Sequence, residues 1–184
     1  DYSQLISHRS NAMNPKDLLK NFEKVKSDKK ILNLINTNWT QIHIILTVVL
    51  LYNPKQSQSK EAINLYSSLI NFICHSDFEN TTTYGKSTWM LEPISALFNL
   101  LFNTEVGKNL IKSELTTQME NLKKKFSYII SKIAEDTEPL HTKSPEWFLF
   151  KLLMLMMSLP HGKSLIDSWP DFKSNLLTLG LKVK

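Results

Sequence analysis

The chain has 184 residues, 42% of them hydrophobic, with a mean hydropathy of −0.21 and a formal net charge of +5. This composition excludes a disordered chain and leaves room for a real core, while the longest apolar run, residues 44–52, is interrupted by Thr47 and is too short to cross a bilayer. Cys74 is the one cysteine and Arg9 the one arginine, which excludes an intrachain disulfide and a four-cysteine zinc site and leaves the positive charge to lysine, without the guanidinium forks usual in phosphate and guanine recognition.

In chain order, residues 1–13 are polar, and Ser10-Asn11-Ala12 before Met13 resembles the remnant of a cleaved tag; a native polar leader is the alternative. The rest, 14–184, reads as a single α-helical domain. Asn14 and Pro15 open a helix whose stripe is Leu18, Leu19, Phe22 and Val25, with its lysines mostly on the other side. A short helix follows over 29–36. The helix over 39–52, led by Trp39, is apolar nearly all round and therefore buried on most sides. After a polar loop, residues 60–74 form a helix with Ile63, Tyr66, Leu69, Ile70 and Ile73 inward.

Ser87 and Thr88 cap the central helix. Pro93 falls in its first turns, so the helix either starts near Leu91 or is kinked there. Its inward side is Ile94, Leu97, Phe98, Leu101 and Phe102. Asn103-Thr104-Glu105 ends this helix and caps the next, which breaks near Ser113; Thr116 or Thr117 then caps a longer one reaching about Ala134. Ser144 and Pro145 start a methionine-rich helix to Ser158. Pro160-His161-Gly162 turns the chain into residues 163–169, and Pro170 starts the last helix.

These elements recur. At a spacing of 55, Leu97-Phe98-Asn99-Leu100-Leu101-Phe102 falls on Leu152-Leu153-Met154-Leu155-Met156-Met157, and Gly107-Lys108-Asn109-Leu110-Ile111 falls on Gly162-Lys163-Ser164-Leu165-Ile166. At a spacing of 50, Trp89 falls on Trp39 and Asn103 on Asn53. Periods of this size are the signature of stacked helical units.

The stretch from Ala96 to Asn103 and on through Gly107-Lys108-Asn109-Leu110-Ile111 resembles the third helix of an armadillo repeat and its exit. Residues 152–166 repeat the pattern more loosely, with Ser158 in place of Asn103, and residues 39–53 give a third copy. The units exceed the standard armadillo length, and the glycine that usually separates the first helices is missing after Ile111, so armadillo, HEAT and unclassified helical repeats all stay open. The resemblance implies an all-α fold, a right-handed superhelix of about three degenerate units. It also implies a scaffold that takes a partner peptide or helix in a groove. Large centriolar and ciliary armadillo proteins are one class of parent, which with the lone cysteine suggests an intracellular, cytoplasmic setting near the cytoskeleton or centrosome.

No sequence pattern specifies a reaction. The five histidines are scattered and form no HExxH. Cys74 and His75 are adjacent on a helix and so point apart; only a pocket joining them to an acid favours catalysis. Gly162-Lys163-Ser164 lacks the full phosphate-loop spacing, and the repeat explains it better. The expectation is a non-enzymatic protein with no cofactor and no metal. Its candidate partner-binding residues are Trp89, Phe98, Asn99, Asn103, Trp147 and Lys151. Core packing competes for the tryptophans and for Met154, Met156 and Met157. The alternative is a lysine-rich module that binds nucleic acid or anionic lipid.

Overall fold

The structure, a computed structural model, describes residues 55–75, 87–135, 144–169, 172 and 174–176, without the side chains of 56 and 87–92. The expected helices over 14–52, the Trp39 copy of the repeat and the polar leader lie outside the described residues. Among the described residues all regular structure is helical and there is no strand.

A single 3-10 turn, Gln56–Gln58, precedes α1, Lys60–Cys74. Ser59 caps α1 by accepting a hydrogen bond from the Ala62 N–H at 3.2 Å. Leu65, Tyr66, Leu69, Ile70, Phe72 and Ile73 recur at helical spacing and are all buried. Helix α2 runs over Ser87–Asn103 and passes without interruption through Pro93. The sequence left a late start or a kink open; the helical backbone begins at Ser87. Pro93 has no N–H to offer one turn back, but it is buried in the helix's second turn and packing carries the segment.

Thr104 alone separates α2 from α3, Glu105–Ser113. Its hydroxyl donates to the Leu100 carbonyl at 2.7 Å and accepts from the Gly107 N–H at 3.0 Å, so one side chain ends one helix and starts the next. Helix α4, Thr116–Glu135, follows Leu115. The sequence suggests Thr116 or Thr117 as its cap. Instead Thr116 is the first helical residue, and its hydroxyl donates back to the carbonyls of Ile111 and Lys112, closing α3.

Ser144 caps α5, Pro145–Ser158, with Pro145 in the first turn, as the sequence reading has it. Pro160, expected in a turn with His161 and Gly162, instead starts α6, Pro160–Asp167. Only Leu159 separates α5 from α6. Proline's fixed φ suits the first helical turn, where its missing N–H has no partner to lose.

One continuous core joins these helices. Helix α1 packs on α4, α4 on α5, and α2 on α3, α5 and α6. Phe98, Phe102, Phe126 and Leu152 are fully buried, and Trp169 and Phe172 close the far end with ring centroids 5.4 Å apart. The two corners built alike, α2–Thr104–α3 and α5–Leu159–α6, stand side by side: His161 Nε2, near the start of α6, lies 3.5 Å from Glu105 Oε1 at the start of α3. The two corners, at Thr104 and Leu159, thus lie 55 residues apart within one core.

Candidate functional site

The six residues singled out from sequence do not form one site. Trp89 is the third residue of α2, and its side chain lies outside the described residues. Phe98 is completely buried, edge-on to Phe102 at 5.1 Å between centroids, and offers no surface to a partner. Asn99 is half-buried and donates to the Ser95 carbonyl of its own helix at 2.9 Å. Asn103 is exposed at the end of α2.

Trp147 and Lys151 do come together, one turn apart on α5. The Lys151 ammonium lies 5.4 Å from the centre of the Trp147 ring, a cation–π arrangement, and Phe150 stacks beside that ring at 6.2 Å. Met154 continues the strip one turn further and is 48% exposed, one of two large apolar side chains on the described surface that are so open. Met156 is in the core and Met157 is half-buried. The methionines therefore divide between packing and surface, as the 3.6-residue period requires of neighbours on one helix. Beside this strip Lys132 of α4 pairs with Glu146 of α5. Burial alone would push the Glu146 carboxyl up, but the hydrogen bond and charge of Lys132, with help from Ser144, hold it below the usual range.

A second surface was missed. Where the end of α1 meets the middle of α4, a groove of about 530 Å³ opens between the helices. Asn71, Cys74 and His75 line it from α1; Asn121, Lys124, Lys125 and Tyr128 line it from α4. Tyr128 is 52% exposed, and the Lys125 ammonium lies 5.8 Å from its ring centre. The groove does gather Cys74 and His75, but no carboxylate lines it among the described residues. Burial pushes the Cys74 thiol up to about 12, with Lys125 opposing only in part, so the nucleophilic thiolate is scarce at neutral pH. Among the described residues no acid lines the groove to orient His75 as the base of an activated thiol.

Each half of this groove is legible at helical spacing: Asn71 with Cys74 and His75, and Asn121 with Lys124, Lys125 and Tyr128. Only the packing of α1 on α4 joins them. Gly162-Lys163-Ser164 lies in the first turn of α6 and follows a helix, with Gly162 buried. That is not the strand-to-helix loop of a phosphate site. Among the described residues no cluster of side chains is suited to a metal ion, and no helix is long and apolar enough to cross a membrane. No protein-family model, no curated protein and no solved structure matches the chain.

Proposed function

We propose that this chain is an intracellular protein–protein interaction module of the armadillo/HEAT kind. In this reading its units stack in a right-handed superhelix and hold a peptide or helix of another protein, as part of a larger scaffold. The observation that carries the reading is the pair of like-built corners, α2–Thr104–α3 and α5–Leu159–α6, lying side by side at the 55-residue spacing. Units that bury their apolar faces against like neighbours leave long exposed strips for partners. The strip of Trp147, Lys151 and Met154 has the make-up of a binding anchor: a tryptophan and a methionine on rigid helix, with a cation beside them.

The test is retention of partners by the immobilised full chain, compared with a Trp147→Ala/Met154→Lys variant and a charge-matched helical control. Each retained protein is then purified and measured against both forms by calorimetry. Binding to the parent chain with loss in the variant supports the reading. Retention no better than the control, or equal retention by the variant, sinks it.

A further inference from the structure

We draw no further inference here: the strongest candidate, the surface strip of Trp147, Lys151 and Met154 on α5, belongs to the site already described, and nothing in the structure shows what covers it.

Discussion

Gly107 lies so close to Leu101 that a Cβ built on it would stand 2.5 Å from the Leu101 Cα, and Gly162 meets Met156 in the same way, with the Met156 Cγ at 2.9 Å. Leu101 and Met156 are themselves 55 residues apart, as are the two glycines. Each corner thus folds its second helix directly onto the backbone of its first.

An alanine at Gly107 or Gly162 pits two effects against each other. Helix propensity favours alanine by about 1 kcal/mol. A methyl forced against backbone cannot be relieved by a side-chain rotation, and overpacking of this kind costs about 1–3 kcal/mol or more. Gly107→Ala and Gly162→Ala are expected to destabilise the fold by about 1–2 kcal/mol net, read from urea unfolding by circular dichroism. A gain in stability at both sites would show that the corners are looser than described.

Thr104 uses one hydroxyl for two helices. Thr104→Val keeps the shape and removes both hydrogen bonds. It should cost about 1–2 kcal/mol, the usual value of a lost cap. The equivalent Leu159 has no side-chain cap, so Leu159→Ala loses packing and no hydrogen bond. Differential scanning calorimetry on the two variants distinguishes the mechanisms, since loss of buried apolar surface lowers the heat-capacity change and loss of a cap does not.

The Lys132–Glu146 pair joins α4 to α5 with the Lys132 side chain 43% exposed and that of Glu146 18% exposed. Because the folded carboxyl titrates below its ordinary value of 4.5, its stabilising effect is full above that pH and is lost as pH falls through the folded value. Lys132→Met should reduce stability at pH 7 by about 1 kcal/mol or less, as expected for a partly exposed pair. The difference from the parent chain should vanish in acid, in a stability profile measured from pH 7 downward.

Alkaline pH acts in the opposite sense. Burial raises the thiol of Cys74 from 9.0 to about 12 and drives the Tyr66 phenol upward as well. The folded chain keeps both protons longer than the unfolded chain does. Stability is therefore full below about pH 9 and drains away as pH rises further. Tyr66→Phe should flatten that alkaline loss. At neutral pH it should be neutral or stabilising by up to about 1 kcal/mol, since the Tyr66 hydroxyl is buried without a hydrogen-bond partner among the described residues.

Much of the local structure was legible in the chain. The span of α1 follows from the stripe Ile63, Tyr66, Leu69, Ile70 and Ile73 after a polar loop; the start of α5 follows from Ser144 and Pro145. Asn103-Thr104-Glu105 announces a helix junction, and the structure gives the cap to Thr104. These are short-range effects, fixed by residues within one or two turns. Pro160 starts a helix where the sequence suggests a turn, for a physical reason: proline's local penalty depends on its position in a helix and on the packing that offsets it. Neither is contained in a neighbouring residue.

The sequence by itself determined that the described chain is helical and where α5 starts, because backbone propensity, capping and apolar period all act locally. Tertiary packing alone decided which face of each helix stays open. It left Trp147, Lys151 and Met154 in a strip, and set Asn71 and Cys74 across from Lys124 and Tyr128. Side chains some fifty residues apart in sequence meet only when α1 rests on α4, and no local rule brings them together.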